Sequence, residues 1–255
     1  MGKCNKIKQF CTLESEMRTV TIKILAIILL FCTDMLSYSQ TAELYFNSAI
    51  NKVKSGDIEG AILDYNKSIE INPKLPNVYF NRGLAKFSLN DFSGAIEDFD
   101  KSIELNPQLE YAYFNRGLAK YDIGDMNGAI SDYDHAISIN PKLEVVYFNK
   151  ALIEFNSGNY RDASHDFEKT IEINPKLAVA FFNKAIAEYK MSDYITCCAD
   201  CDKAIELSPE NGEIYNTRGL AKYELNNREG ACTDWQKASE LGNENAVESL
   251  SKLCK

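Results

Sequence analysis

The chain has 255 residues, 45% hydrophobic and 25% charged, with a formal net charge of −9. That length allows one or two compact domains. The acidic balance excludes a protein that tracks a nucleic-acid backbone, which needs clustered positive charge, and an anionic membrane surface would repel the chain for the same reason.

Arg18 and Lys23 precede an apolar run from Ile24 to Cys32, and Ser37-Tyr38-Ser39 offers small residues for cleavage. This is the three-part layout of a secretory signal. The uninterrupted run is nine residues long, too short to span a membrane. Glu14 and Glu16 lie before the charged region and fit no signal, so Met17 is the expected start and Gln40 the first mature residue. Residues 1–39 are therefore expected to be a leader. The protein is expected to be exported, periplasmic or secreted, without stable membrane insertion after cleavage. An uncleaved N-terminal anchor is the alternative. Phe31 before Cys32 is unlike a lipoprotein signal, and Lys6 occupies the Ser/Thr slot of a myristoylation motif.

From residue 42 a 34-residue pattern recurs six times. Tyr79, Tyr113, Tyr147, Phe181 and Tyr215 fall in step, each followed four residues later by Gly83, Gly117, Ala151, Ala185 or Gly219. A second small position holds Ala61, Ala95, Ala129, Ala163, Cys197 and Ala231; four residues on sit Tyr65, Phe99, Tyr133, Phe167, Cys201 and Trp235. Each repeat reads as two helices with apolar residues at helical spacing. The stops between them are Gly56-Asp57, Asn90-Asp91, Gly124-Asp125, Gly158-Asn159, Ser192-Asp193 and Asn226-Asn227. Gly and Asn accept the left-handed backbone that ends a helix, Asp and Asn can cap the next one, and Ser192 is the poorer choice. Pro73, Pro107, Pro141, Pro175 and Pro209 close five repeats, since proline cannot continue a helix.

These residues resemble the tetratricopeptide-repeat (TPR) family over residues 42–245, with Tyr113-x2-Arg116-Gly117-x2-Lys120, Ala129-x3-Tyr133 and Pro141 in the third repeat. The resemblance implies an all-α fold: a right-handed superhelical α-solenoid of six helix-turn-helix units, at 42–75, 76–109, 110–143, 144–177, 178–211 and 212–245. A capping helix is expected at 243–255, with Ala246, Val247, Leu250 and Leu253 on one face and Val247 and Leu250 turned to the sixth repeat. Two departures recur. The family's leucine slot holds Arg82, Arg116, Lys150, Lys184 or Arg218, and its later tyrosine slot holds Lys52, Lys86, Lys120, Glu154, Glu188 or Lys222. Each second helix also carries an aspartate, Asp64, Asp98, Asp132, Asp166, Asp200 or Asp234, one turn from core positions. A buried carboxylate needs a partner, so an ion-pair ladder between the two helices is expected.

No phosphate loop, glycine fingerprint or His-Glu-x2-His motif occurs. His135 and His165 have no nucleophile beside them and read as exposed residues. We expect no enzyme, no catalytic residue, no cofactor and no metal. Cys198-x2-Cys201 lacks a second pair or a preceding strand, so core filling is the better reading, with a local disulfide or a thiol redox site as alternatives. The closing segment through Cys232 and Cys254 resembles that of exported bacterial repeat proteins, including those of Bacteroidetes, where the two cysteines look paired. Two reduced core cysteines remain the alternative.

In this family the first helices line a concave groove. Its fifth position here is Phe46, Phe80, Phe114, Phe148 and Phe182; its sixth is Asn47, Asn81, Asn115, Asn149 and Asn183; its twelfth includes Phe87, Tyr121 and Phe155. The asparagines are similar to the ladder in the repeat domain of O-GlcNAc transferase, which holds a peptide backbone. An amide offers both donor and acceptor to a peptide unit, and aromatics add contact area. The other reading is that each Asn satisfies its own helix. The basic clamp of co-chaperone repeats is absent. The function expected is a non-enzymatic scaffold binding a protein or peptide through Asn47, Asn81, Asn115, Asn149, Asn183, Phe80, Phe114, Phe148, Tyr121 and Phe155. A self-associating structural protein is the runner-up.

Overall fold

The computed structural model describes residues 40–254. The leader expected at 1–39 lies outside the described residues. The chain divides into two compact bodies at Asn106–Pro107, and among the described residues only helices and turns occur.

The first body holds α1 (40–55), α2 (Ile58–Ile71), α3 (Pro76–Ser88) and α4 (Phe92–Leu105). The second holds α5 (Glu110–Asp122), α6 (Met126–Ile139), α7 (Glu144–Asn156), α8 (Tyr160–Ile173), α9 (Ala178–Lys190), α10 (Tyr194–Leu207), α11 (Gly212–Glu224), α12 (Arg228–Glu240) and α13 (Glu244–Leu253). Within each body the helices pack as successive pairs, each against the next in the chain. This is the all-α solenoid architecture the repeat implies.

The pairing follows from the small and large positions. In the first body Ala49, Ala61, Tyr65, Val78 and Ala85 form a buried cluster. In the second, Tyr133, Phe167 and Trp235 are fully buried from the second helices α6, α8 and α12, as Phe99 is from α4 in the first. Gly83, Gly117 and Gly219 let the first helix ride directly over Phe99, Tyr133 and Trp235. A Cβ on Gly117 would stand 2.6 Å from the Tyr133 ring, so the small residue sets the distance between the two helices.

The helix stops behave as their residues dictate. Gly56, Gly124 and Gly158 take positive φ, and so do Asn90, Ser192 and Asn226. Asp57, Asp91, Asp125, Asp193 and Asn227 each accept a hydrogen bond from the backbone N–H three residues on. Asn159 departs from the expectation and makes no side-chain cap bond. Glycine stands three residues after the cap in four repeats, where a Cβ would press on the capping side chain, whereas Asp162 stands there in the fourth.

At the C-terminal end α13 buries Ala246 and packs Leu250 and Cys254 around Trp235. Val247, expected to face the sixth repeat, is instead 53% exposed. The buried stripe runs 246, 250, 254, and one residue further along a helix turns by about 100°, out of that stripe. The Cα atoms of Cys232 and Cys254 lie 5.8 Å apart with the Sγ atoms in bonding contact.

Candidate peptide-binding face

The first helices place their fifth and sixth residues by the same rule in both bodies. Phe80 sits on Phe99 in the first body, with ring centroids 5.9 Å apart. In the second, Phe114 sits on Tyr133 and Phe148 on Phe167, at 5.8 and 5.6 Å. Each phenylalanine is thus half-buried and braced by the aromatic of its own second helix, which holds the face in one shape.

Asn81, Asn115 and Asn149 each donate a side-chain N–H to the carbonyl four residues back, on Asn77, Tyr111 and Val145, at 2.7 Å. That bond fixes the amide's direction along the helix. It uses one donor, and the second N–H and the Oδ1 acceptor of each make no hydrogen bond to a described residue. Each of these asparagines therefore satisfies its own helix, and keeps one N–H and its Oδ1 without a partner among the described residues. Asn47 is exposed at the start of the first body, and Asn183 is half-buried on α9.

Beside these amides stand apolar side chains that the sequence reading did not single out. Tyr111, Val145 and Val179 occupy the second position of the third, fourth and fifth repeats and are exposed, Tyr111 by 50%. They share the 34-residue period, which was the signal available. Being four residues from Asn115, Asn149 and Asn183, they lie on the same helix face. Tyr121 is exposed further along α5, and Phe155 stacks edge-on against Tyr160 at 5.2 Å. The second body so brings Tyr111, Phe114, Asn115 and Tyr121 onto α5 and Val145, Phe148, Asn149 and Phe155 onto α7. Apolar groups left in water beside fixed amide edges suit an extended backbone carrying apolar side chains.

The first helices also supply the cations of the ion-pair ladder. Asp98 accepts from Arg82 at 2.9 Å and pairs with Lys86 at 2.9 Å; Asp132 does the same with Arg116 and Lys120. Asp234 is held by Arg218 and Lys222, and Asp64 by Lys52 at 2.7 Å. Asp64's carboxyl is held below its ordinary range by hydrogen bonds from Lys52 and Ser48. The fourth and fifth repeats differ. Lys150 lies 3.3 Å from Asp166 and Lys184 lies 3.0 Å from Asp200, and Glu154 and Glu188 replace the second lysine. Burial pushes the Glu154 carboxyl up to about 7 and that of Glu188 up to about 8.

Cys197 and Cys201 fill the core between α9 and α11, and Cys198 is half-buried. Burial pushes the Cys198 thiol up to about 11, and a hydrogen bond with Cys197 together with burial raises that of Cys201. Few thiolates form there at neutral pH, which disfavours thiol chemistry. His135 is exposed yet stacked on Tyr113 at 5.4 Å, with its Nδ1 2.8 Å from the Ser131 carbonyl oxygen. Among the described residues no group of His, Cys, Asp or Glu side chains is arranged to hold a metal ion, and no helix is long and apolar enough to cross a membrane.

Comparison with known proteins places these features. The family model described as TPR repeat matches residues 52–89, and those described as tetratricopeptide repeat match 76–109, 110–143 and 145–177. No curated protein matches at a significant level. Among solved structures, the chain is similar to YrrB, described as a TPR protein with an unusual peptide-binding site, with a TM-score of 0.67 and 17% identity over 73% of this chain and 97% of that one. It is also similar to the C-terminal part of a TPR repeat-containing protein from Cytophaga hutchinsonii, with a TM-score of 0.69 and 20% identity over 81% and 82% of the two chains. A tetratricopeptide repeat protein from Parabacteroides merdae gives 0.54 and 23%, covering 83% of each. At these identities the likeness establishes the fold.

Proposed function

Because this chain belongs to the tetratricopeptide-repeat family, we propose that it is an interaction scaffold whose first-helix face holds an extended peptide segment of a partner protein. The observation that carries this reading is the row of asparagine amides fixed by their own helices, each with an unused donor and acceptor, beside the exposed Tyr111, Val145 and Val179. A peptide backbone fits the amides, and its apolar side chains fit the exposed residues. The peptide-binding site described for YrrB supports the same use of the fold. The test is capture of partners by the full chain from the exported fraction of its host, compared with a Val145→Glu/Val179→Glu variant. Partners should be recovered with the parent and lost with the variant. Equal recovery would reject the face.

The reading includes export. The signal-like pattern of residues 18–39 and the neighbouring Cys232 and Cys254 support it together, because a disulfide persists in an oxidising compartment. Sequencing the N-terminus of the exported protein should return Gln40, and thiol titration of that species after denaturation should find Cys197, Cys198 and Cys201 free. An intact leader, or five free thiols, would count against export.

A further inference from the structure

We propose that α11 marks where the apolar part of the bound segment ends, and that Glu213 there receives a lysine or arginine side chain of the partner. This rests on the reading of the first helices of the second body as a peptide-binding face. It names the sequence such a peptide carries: an apolar run closed by a basic residue.

The repeat supplies the comparison. The second residue of each first helix stands one place before a buried one: Ala112, Val146, Ala180 and Ile214 are at most 1% exposed. Tyr111, Val145, Val179 and Glu213 are therefore equivalent, and all four are exposed. α5, α7 and α9 carry an apolar residue, Phe and Asn at their second, fifth and sixth positions. α11 breaks the pattern at all three, with Glu213, Asn216 and Thr217. α9 and α11 are in contact, so a segment lying along the row passes from Val179 to Glu213, from an apolar neighbour to a charge.

The fold does not use this carboxylate. The Glu213 side chain makes no hydrogen bond or ion pair with a described residue, while its backbone N–H donates to the Asn211 cap at 3.0 Å and fixes its place. An acid in a helix's first turn is favoured by the helix dipole, but that does not explain its position. α5 and α7 carry theirs one place earlier, at Glu110 and Glu144, and α9 has none in its first turn.

Glu213 also borders an open cavity of about 650 Å³ at the starts of α11 and α13. Glu210 and Glu244 share its lining with Ser208 and Asn245, and no basic residue does. A long cationic side chain leaving the row at α11 meets only carboxylates and neutral groups there. At the far end of the first helices the charges are mixed, with Asp122, Lys190 and Glu224 at the thirteenth positions of α5, α9 and α11. Selection for a base is therefore made at Glu213.

The experiment selects a displayed random-peptide library on the full chain. One recovered peptide, and a copy with glutamate in place of its basic residue, are then measured by fluorescence anisotropy. Recovered peptides should carry Lys or Arg at one end of an apolar run. The parent should bind the basic form about fivefold more tightly at low salt, and the margin should shrink at high salt as ions screen it. Glu213→Lys should reverse the preference. Glu229→Lys on α12 changes the net charge equally and should leave the preference in place. The Val145→Glu/Val179→Glu variant separates the two readings. If that variant binds the peptide as the parent does, or if the library yields no binder, the face itself is rejected and this inference with it. If that variant loses the peptide, the face stands. The role of Glu213 is then overturned by peptides that lack a terminal base, by an unchanged preference in Glu213→Lys, or by an equal reversal in Glu229→Lys.

Discussion

Asp132 is 2% exposed and holds two cations, Arg116 and Lys120, each with most of its own surface covered. Removing the carboxylate takes away the buried partner that both cations share, so Asp132→Ala should cost about 3–5 kcal/mol in urea unfolding. Ser192 tests the opposite sign. It takes φ 63 where the equivalent residues are Gly or Asn, and Ser192→Gly should stabilise by about 1 kcal/mol. Glu154 and Glu188 set a pH dependence. Their carboxyls are raised in the fold from an ordinary 4.5 to about 7 and about 8. Protonation therefore favours the folded state, and the contribution is complete below pH 4.5 and lost as pH rises through 7 to 8. The thermal midpoint should fall between pH 5 and pH 8, and a Glu154→Gln/Glu188→Gln variant should flatten that slope. Asp64, with its carboxyl lowered, acts only at more acidic pH. The aspartate ladder was legible in the sequence because its partners share its period. The raised carboxyls of Glu154 and Glu188 were not, because they depend on a burial that the period alone does not report.

The helix stops were legible to the residue, since only a few side chains accept a positive φ, and five of the six caps form as their Asp or Asn dictates. Asn159 and Val247 were not. A cap needs room over the following turn, and a face of α13 is chosen by what Trp235 and Leu250 leave open, neither of which periodicity reports. The proposed disulfide between Cys232 and Cys254 would close a separation of 22 residues. In the chain-entropy account such a loop is worth about 3 kcal/mol. Cys254→Ser should loosen α13 by about that amount, read as faster amide exchange in Glu244–Leu253 with little change in α5 to α8. Uniform destabilisation of the second body would show that the cap is not a local fastening.

The repeat made the architecture readable from the sequence: a period of 34 residues with alternating small and large core positions admits stacked helix pairs and little else. The binding face was readable only in part. The phenylalanine and asparagine rows show in the sequence, but not that each amide is pinned through one N–H, nor that Tyr111, Val145 and Val179 stay in water beside it. That arrangement is the central claim, and it is tested most directly by affinity for a peptide selected from a random library against the full chain. Parent and Asn115→Ala/Asn149→Ala proteins would be compared at equal helicity. Losing two amides that each contribute about 1 kcal/mol should weaken binding at least about tenfold. An unchanged dissociation constant, with the peptide still competing for Tyr111 and Val145, would contradict the account.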